Sequence, residues 1–337
     1  MSQHRSVTAD AGRVLGDDRR PAAGPVSIVP ASATLSAAED VFARAVAAGG
    51  GELVDLGPQT RGLIWLSYGG AAALRSTLDS YPSIDWVQLP YAGVDVFAEL
   101  LRAHADRPFP LWTSAKGAYS QPVAEHALTL VLALLRVIPE RVRATGWPTG
   151  PKIGRSLYGL SVLIVGAGGV ARELLRLLAP FGVSVTIVRR TTDRVAGARR
   201  TITVDGLAQA LPDADVVVIA AASTAGTRHL FGAPAFAAMK NSAVLVNIAR
   251  GDLVDTDALV DALRRGEIAG AGLDVTDPEP LPDGHPLWTA PHILITPHSA
   301  DTPEMTMPLL AERIRENVAA FVGDGRFVGV VDPKAGY

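Results

Sequence analysis

Residues 161–190 carry the pattern that most constrains how this chain folds. Val162–Val165 is a short apolar, β-branched run, typical of a strand buried on both faces. Three glycines follow within residues 166–169, and apolar residues then recur at helical spacing over 170–181. Residues 183–188 are predicted to form a second strand. This order of strand, glycine turn, helix and strand indicates a βαβ unit that binds a dinucleotide.

The glycine turn suits a pyrophosphate, because glycines allow close backbone approach and N–H groups at a helix start favour anionic oxygens. Ala171 replaces the usual third glycine and still allows the helix to pack closely on the strand. A tight turn can also require glycine for steric reasons alone, but the two flanking strands favour nucleotide binding. The predicted cofactor-binding residues of this turn are Gly166, Ala167, Gly168, Gly169 and Val170.

The end of the second strand indicates which nucleotide binds. Enzymes that use NAD usually place an acidic residue there, about 20 residues after the glycines. This chain has Arg189 and Arg190, followed by Thr191. Guanidinium and hydroxyl groups suit a ribose 2′-phosphate, so we predict NADP (NADPH) as the favoured cofactor, with NAD as the alternative. A solvated basic turn is the structural alternative, and Asp193 nearby weakens the signal.

Composition excludes several classes of function. The 337 residues are enough for two domains, and the net charge of −3 gives no reason to expect nucleic acid or a membrane surface as a partner. The absence of cysteine excludes disulfides, thiolate metal sites and a cysteine nucleophile, and we predict no metal site. The longest apolar run, residues 127–138, is too short to span a bilayer. We therefore predict a cytoplasmic protein.

Strand-like and helix-like segments alternate on both sides of the glycine turn, which predicts an α/β protein with two parallel sheets. Strands are predicted at 27–29, 52–56, 63–66, 86–89, 111–113, 216–220, 243–248, 268–274 and 292–296. Helices are predicted at 36–48, 71–78, 122–138, 233–239 and 256–265. The Glu125–His126 pair on the long apolar helix is interpreted as a buried structural hydrogen-bond partner, and residues 141–158 as a loop.

Polar residues follow the carboxyl ends of three strands predicted in the second half: Arg250, Glu279 and His298. The carboxyl ends of parallel strands share one edge, so we expect these side chains to converge beside the nicotinamide. A guanidinium binds a carboxylate and polarises a carbonyl, an imidazole transfers protons near neutral pH, and a carboxylate orients that imidazole. Together they suit hydride transfer to a 2-oxo acid, although a salt bridge, a loop charge or a cap would explain each one alone.

A strand of the first half also ends in a candidate ligand loop. Ala92, Gly93 and Val94 follow the strand predicted at 86–89, and their exposed N–H groups could bind a carboxylate. An ordinary strand-to-helix turn capped by Asp95 explains the same residues, and the sequence leaves both interpretations open.

A series of motifs in order resembles the D-isomer-specific 2-hydroxyacid dehydrogenase family. The resemblance covers about Val26 to Val330, and Leu63-Ile64-Trp65-Leu66 is similar to the glyoxylate/hydroxypyruvate reductase branch. The motifs are Tyr91-Ala92-Gly93-Val94-Asp95, Val123-Ala124-Glu125-His126, Leu157-Tyr158-Gly159-Leu160, Val165-Gly166-Ala167-Gly168, Val246-Asn247-Ile248-Ala249-Arg250-Gly251, Gly272-Leu273-Asp274-Val275, Glu279-Pro280-Leu281, His285-Pro286-Leu287-Trp288 and Thr296-Pro297-His298.

The resemblance implies roles for individual residues. Arg250 would be the substrate anchor, His298 the acid/base and Glu279 its partner. The backbone of Ala92, Gly93 and Val94 would bind the substrate carboxylate. Asp274 would lie near the nicotinamide carboxamide, and Ala249, Asp274 and His298 complete the predicted cofactor-binding set.

The resemblance also implies the domain organisation. We expect a Rossmann cofactor domain at 121–302 and a smaller flavodoxin-like substrate domain, both doubly wound. The substrate domain would be discontinuous, from 25–120 and 303–337, with a helix at 303–321, and residues 1–24 are predicted to be a disordered extension. Family members are typically homodimers, so a homodimer is expected here.

Two alternatives to a 2-oxo acid reductase remain at this point. One is a non-catalytic, NAD(P)(H)-binding regulator on the same fold, and the other is a formate or phosphite dehydrogenase, a class that usually prefers NAD. One departure from the family concerns Asp301, which follows Ala300 where a glycine is common and is expected to reshape the pocket wall.

Overall fold

The computed structural model describes residues 13–14, 16, 19–29, 36–67, 70–147, 149–323 and 325–334. The chain divides into two units, Met1–Tyr119 with Thr302–Tyr337 and, between them in sequence, Ser120–Asp301. They are called the first and the second unit below.

Strands and helices alternate through most of both units. The strands are β1 (Arg13–Val14), β2 (Val26–Val29), β3 (Gly62–Trp65), β4 (Trp86–Gln88), β5 (Leu111–Thr113), β6 (Ser161–Val165), β7 (Ser184–Val188), β8 (Arg200–Ile202), β9 (Val216–Ile219), β10 (Val244–Asn247), β11 (Gly270–Leu273), β12 (Ile293–Ile295) and β13 (Arg326–Phe327). The helices are α1 (Ser36–Ala48), α2 (Ala71–Ser80), α3 (Ala98–Ala103), α4 (Ser120–Leu135), α5 (Ile138–Arg143), α6 (Gly169–Leu178), α7 (Leu207–Ala210), α8 (Ala233–Ala238), α9 (Thr256–Arg265) and α10 (Pro303–Val322).

The second unit is built on a parallel sheet of seven strands in the order β12-β11-β10-β9-β6-β7-β8. The strand order reverses between β6 and β9, which is the switch point of a doubly wound sheet. The prediction of a Rossmann-type parallel sheet is therefore confirmed. Ligands of such sheets bind outside the carboxyl ends of the strands, near the switch point.

Side chains of β6 alternate between the two faces of this sheet, and each face has its own core. Leu163 and Val165 pack in one cluster with α8 and α9, including Phe236. Val162 and Ile164 pack in the other cluster with α4 and α6. Helices on both faces explain why the strands are continuous apolar runs.

The first unit contains a smaller parallel sheet in the order β2-β3-β4-β5. The strand predicted at 52–56 is wrong, because only Leu53 pairs there, in a single parallel bridge to Val26. The side chain of Leu53 lies exposed at the sheet edge, so little burial stabilises a longer strand. With this bridge the order follows the flavodoxin pattern, in which the second segment flanks the first.

Several predicted boundaries differ from the structure. The helix predicted at 122–138 ends at Leu135, because Val137 adopts a left-handed conformation (φ 53°) before α5 begins with Pro139 in its first turn. The loop predicted at 141–158 therefore starts after Arg143. Strand β8 and helix α7 were not predicted, because both are short.

Most of the extension predicted to be disordered at residues 1–24 lies outside the described residues. One part of that prediction is corrected, because Arg13–Val14 forms antiparallel strand β1 with β13. Backbone pairing orders a segment whose composition alone suggested disorder. Separately, none of the helices in the described ranges is long and apolar enough to cross a membrane.

Candidate active site

Two glycines in β11 set the position of the helix that backs the candidate site. A Cβ on Gly272 would lie 3.2 Å from Cβ of Leu130, and one on Gly270 would lie 3.3 Å from Leu134, so α4 packs directly on the strand backbone. His126 precedes Leu130 by one helical turn on the same face of α4. Because Gly270 and Gly272 have no side chains, α4 lies close enough to β11 for His126 to reach the end of this strand.

Asp274 follows β11 and is almost fully buried (2% exposed). Its Oδ1 accepts hydrogen bonds from the Thr296 hydroxyl at 2.7 Å and from the Ser299 N–H at 2.9 Å, and its Oδ2 accepts one from the Ala300 N–H at 3.2 Å. Nε2 of His126 lies 2.9 Å from the Thr296 hydroxyl oxygen. This carboxylate therefore fixes the turn that follows β12.

Hydrogen bonding and burial shift the pKa of the Asp274 carboxyl in opposite directions. Burial raises the pKa of its carboxyl, but hydrogen bonds from His126, Thr296 and a backbone N–H outweigh burial and hold the pKa below the usual aspartate range. Asp274 therefore remains ionised at neutral pH. A buried carboxylate with this many donors favours one conformation of the turn it holds.

The turn held by Asp274 presents His298, whose backbone has φ +49°. Its N–H donates to the backbone carbonyl of Asp274 at 2.8 Å, which supports this uncommon conformation. Nδ1 of His298 lies 2.6 Å from Oε1 of Glu279. No described residue hydrogen-bonds to Nε2, and the side chain is about half exposed (45%), so Nε2 can meet a ligand.

Arg250 lies on the turn after β10, the strand next to β11. The amide of Asn247 donates to the Arg250 carbonyl at 2.8 Å, and Nη1 of Arg250 donates to the Ala249 carbonyl at 2.6 Å. A Cβ on Gly251 would lie 1.9 Å from the Thr276 carbonyl oxygen, so the turn abuts the loop that leads to Glu279. Arg250, Glu279 and His298 thus follow the carboxyl ends of three neighbouring strands.

The glycine turn after β6 contains one glycine that packing requires, Gly166, and one whose surroundings are open, Gly168. Gly166 has φ +116°, and a Cβ there would lie 2.3 Å from the Ala220 carbonyl oxygen, so packing alone requires this glycine. Gly168 immediately precedes α6, and a Cβ there would meet no atom within 4 Å. The backbone at Gly168 is therefore open to a ligand at the start of a ten-residue helix. Ala171, fully buried, makes the close helix–sheet contact.

The basic turn after β7 lies on the surface. The Arg189 guanidinium donates to the Asp193 carbonyl at 3.4 Å, and Arg190 and Thr191 are exposed. The Asp193 carboxylate accepts a hydrogen bond from the Thr191 hydroxyl at 2.7 Å. Guanidinium groups and a carboxylate thus lie together at the end of the strand next to β6.

The predicted carboxylate loop belongs to the first unit, where residues 90–94 follow β4. No described residue accepts a hydrogen bond from the N–H groups of Ala92, Gly93 or Val94. Val94 is 2% exposed, and a nearly buried N–H without a protein partner is uncommon. These donors are available to a ligand.

The interpretation of Glu125–His126 as a buried hydrogen-bonding pair is wrong for Glu125, which is exposed. His126 makes a structural hydrogen bond with Thr296 beside Asp274, a connection that sequence reasoning did not find. The alternating glycines of β11 together with the four-residue spacing of His126, Leu130 and Leu134 were the available signal. Asp301, noted in the sequence as a departure from the family, also has a shifted pKa. Burial raises the pKa of the Asp301 carboxyl, the nearby His298 lowers it and Asp274 raises it, with a pKa above the usual range as the result.

Comparison with known proteins gives the family context. A family model described as "D-isomer specific 2-hydroxyacid dehydrogenase, NAD binding domain" matches residues 128–300 of this chain. An uncharacterized protein from Corynebacterium melassecola is 39% identical over 259 residues, which cover 76% of this chain and 84% of the relative. A glyoxylate reductase/hydroxypyruvate reductase from Mus musculus is 37% identical over 58% of this chain and 62% of its own length.

A crystal structure of a D-isomer specific 2-hydroxyacid dehydrogenase from Xanthobacter autotrophicus Py2, in complex with NADPH and MES, is also similar. Its TM-score is 0.77 at 28% identity, with 94% of this chain and 100% of that chain covered. These matches confirm the family resemblance, the fold class and the predicted class of enzyme, an oxidoreductase that uses a nicotinamide cofactor.

The Asp274 hydrogen bonds predict a pH-dependent loss of stability in Asp274→Asn. The lowered pKa means that the ionised carboxylate stabilises the fold above the usual aspartate pKa, and that this contribution is lost as pH falls through the folded-state pKa. We expect a loss of about 2 kcal/mol in unfolding free energy at neutral pH. The difference from wild type should shrink at about pH 3, as measured by urea unfolding.

The matched control for this experiment is Asp283→Asn, which changes an exposed loop aspartate in the same unit. It should leave unfolding free energy within about 0.5 kcal/mol of wild type at both pH values. A destabilisation of Asp274→Asn that does not depend on pH would contradict the assignment of the effect to the ionised carboxylate.

Proposed function

The chain belongs to the D-isomer specific 2-hydroxyacid dehydrogenase family, and from this premise we propose that it reduces small 2-oxo acids to D-2-hydroxy acids with NADPH. The observation that carries the proposal is the Glu279–His298 pair, with Nδ1 of the imidazole occupied and Nε2 open. Imidazole in this arrangement is suited to deliver a proton to a carbonyl oxygen. The mouse relative's name, glyoxylate reductase/hydroxypyruvate reductase, supports a small 2-oxo acid as substrate.

In the proposed reaction Arg250 binds the substrate. Its guanidinium holds the carboxylate and the neighbouring carbonyl oxygen of the 2-oxo acid, which polarises the C=O bond. The N–H groups of Ala92, Gly93 and Val94, in the first unit, are proposed to bind a substrate carboxylate. A bound nicotinamide supplies the hydride that the carbonyl carbon accepts.

His298 supplies the proton in this scheme. Nε2 donates it to the carbonyl oxygen as the C–H bond forms, so the products are a 2-hydroxy acid, the oxidised cofactor and a neutral imidazole that is then reprotonated from solvent. Glu279 orients the ring through its hydrogen bond at Nδ1, so that Nε2 is the nitrogen that faces a ligand. In the oxidative direction His298 would accept the proton instead.

For the cofactor, we propose that Gly166, Ala167, Gly168, Gly169 and Val170 bind the pyrophosphate and that Arg189, Arg190 and Thr191 bind the ribose 2′-phosphate. The exposed guanidiniums and the open backbone at Gly168 support this choice. Ala249 and Asp274, at the ends of β10 and β11, are proposed to contact the nicotinamide side, together with His298.

The function is tested by NADPH and NADH oxidation with glyoxylate, hydroxypyruvate, pyruvate and phenylpyruvate, using wild type and His298→Gln. We expect wild type to oxidise NADPH with at least one acid. His298→Gln should lower turnover roughly 10²- to 10⁴-fold, because it removes the proton donor. NADPH binding, measured by fluorescence titration, should persist, because the proposed contacts to the pyrophosphate and the 2′-phosphate remain in this variant.

His292→Gln is the matched control. His292 precedes β12, at the amino end of the strand whose carboxyl end leads to His298, and its side chain is hydrogen-bonded to Glu140. It should retain wild-type turnover. Full activity in His298→Gln would remove this residue from the mechanism. Binding of both cofactors without oxidation of either would favour the non-catalytic regulator, and oxidation of formate or phosphite instead would identify the other alternative.

Replacement of Arg189 by Asp together with Arg190 by Ser should shift cofactor preference from NADPH towards NADH. We expect the ratio of kcat/KM values for the two cofactors to change by roughly tenfold to a hundredfold, since a charge-assisted hydrogen bond contributes about 1.5–3 kcal/mol. Arg264→Ser, at an exposed arginine of α9, is the control. An unchanged ratio would refute the assignment of the 2′-phosphate to this turn.

We further propose a cytoplasmic homodimer. Large apolar side chains are exposed along one segment of the second unit, namely Ile138, Val142, Trp147, Ile153 and Tyr158. The guanidinium of Arg141 donates to the Ile153 carbonyl at 2.7 Å and joins α5 to the following loop. Apolar patches of this kind are typical of subunit interfaces. The absence of cysteine supports a compartment in which proteins fold without disulfides.

Trp147→Glu should weaken the proposed dimer. Trp147 is 94% exposed, and burial of such a side chain in an interface commonly contributes 2 kcal/mol or more, so we expect the dimer dissociation constant to rise roughly thirtyfold or more. Sedimentation velocity at several concentrations measures this constant. Leu53→Glu, at an exposed site of the first unit, is the control, and a monomeric wild type would overturn the proposal.

A further inference from the structure

Arg313 is a fully buried cation in the first unit with no role in the scheme above. It lies on α10 with 0% of its surface exposed, and its Nη1 donates to the carbonyls of Ser114 at 2.7 Å and Lys116 at 3.0 Å. The turn that it holds, residues 114–119, follows β5.

The backbone around the guanidinium is adapted to this arrangement. Gly329 has φ +70°, and a Cβ there would lie 2.5 Å from Nη1 of Arg313 and 2.4 Å from the Ser114 carbonyl oxygen. Any other residue at this position would collide with both partners of the hydrogen bond. The contact between α10 and the turn therefore depends on a matched glycine.

The same turn is bonded to the loop that carries the proposed carboxylate donors. The Ala115 N–H donates to the Tyr91 carbonyl at 3.0 Å, and the Tyr119 hydroxyl donates to the Pro90 carbonyl at 2.6 Å. A continuous path of hydrogen bonds thus runs from Arg313 through the turn to residues 90–91. Ala92, Gly93 and Val94 come next in the chain.

The hydrogen bonds of the buried Arg313 are incomplete, so a contribution to folding stability does not by itself account for this residue. Nε and Nη2 of Arg313 have no hydrogen-bond partner among the described residues, and neither has Oε2 of Glu316, which lies 3.6 Å from Nε. Burial lowers the pKa of the Arg313 guanidinium and raises the pKa of the Glu316 carboxyl. Buried ion pairs with incomplete hydrogen bonding are often no more stable than apolar residues of similar size.

We propose that Arg313 is a positioning residue, which holds residues 114–119 so that the N–H groups of Ala92, Gly93 and Val94 stay aligned to bind the substrate carboxylate. This inference rests on the proposed function for its substrate. Its structural part concerns the order of the loop and can be measured without turnover.

The test compares Arg313→Met and Arg313→Lys with the control Arg315→Met, which removes a partly exposed arginine from the same helix. In both Arg313 variants we expect backbone amide exchange to accelerate roughly tenfold or more at Ser114 and Ala115, whose N–H groups are hydrogen-bonded to the carbonyls of Gly329 and Tyr91. KM for the 2-oxo acid should rise roughly tenfold with kcat within about threefold, because alignment rather than proton transfer is lost. The dissociation constant of NADPH should not change.

Tyr119→Phe tests the path from its other end, and it keeps the experiment decisive if an Arg313 variant does not fold. It should accelerate exchange at Ala115, whose N–H donates to the Tyr91 carbonyl, and raise KM in the same direction. Unchanged exchange there in all foldable variants overturns the proposal, as does acceleration spread evenly over β2, β3 and β4. If exchange responds as expected but no 2-oxo acid is reduced by wild type, the proposed function fails while the loop assignment stands.

Discussion

The ionised carboxylate of Asp274 is the interaction on which the candidate site depends. It is buried at the end of β11 and accepts hydrogen bonds from the Thr296 hydroxyl and from the N–H groups of Ser299 and Ala300. Those donors lie on both sides of His298, so one carboxylate fixes the backbone that flanks the imidazole. Without it, the backbone around His298 would lose the Thr296 side-chain hydrogen bond on one side and two backbone hydrogen bonds on the other.

The geometry around Asp274 depends in turn on two glycines in β11. Gly270 and Gly272 leave the face of β11 open, so α4 packs close enough for His126 to reach Thr296. Nε2 of His126 meets the Thr296 hydroxyl oxygen, which leaves the hydroxyl proton for Asp274. A feature of strand packing thereby determines which way a hydroxyl donates, and through it the geometry of a turn.

Sequence reasoning identified local elements of structure and missed tertiary contacts between distant residues. The βαβ unit around the glycine turn and the strand ends that carry Arg250, Glu279 and His298 were predictable, because periodicity and strand-end position are local properties. The strand predicted at 52–56 was wrong because pairing at a sheet edge depends on a partner that periodicity does not show. The Asp274–Thr296–His126 connection joins residues up to 170 positions apart, and only the packing of α4 on β11 reveals it.

Both units use a buried charge to fix a loop at the carboxyl end of a parallel strand. Asp274 does so after β12 with a carboxylate whose hydrogen bonds are complete, and Arg313 does so after β5 with a guanidinium whose hydrogen bonds are not. Complete hydrogen bonding lets Asp274 contribute to stability as well as to geometry. Nε and Nη2 of Arg313 have no hydrogen-bond partner among the described residues, so we expect this ion to contribute less to stability than Asp274 does. Its two hydrogen bonds to the turn after β5 are instead consistent with the positioning role that we propose for it.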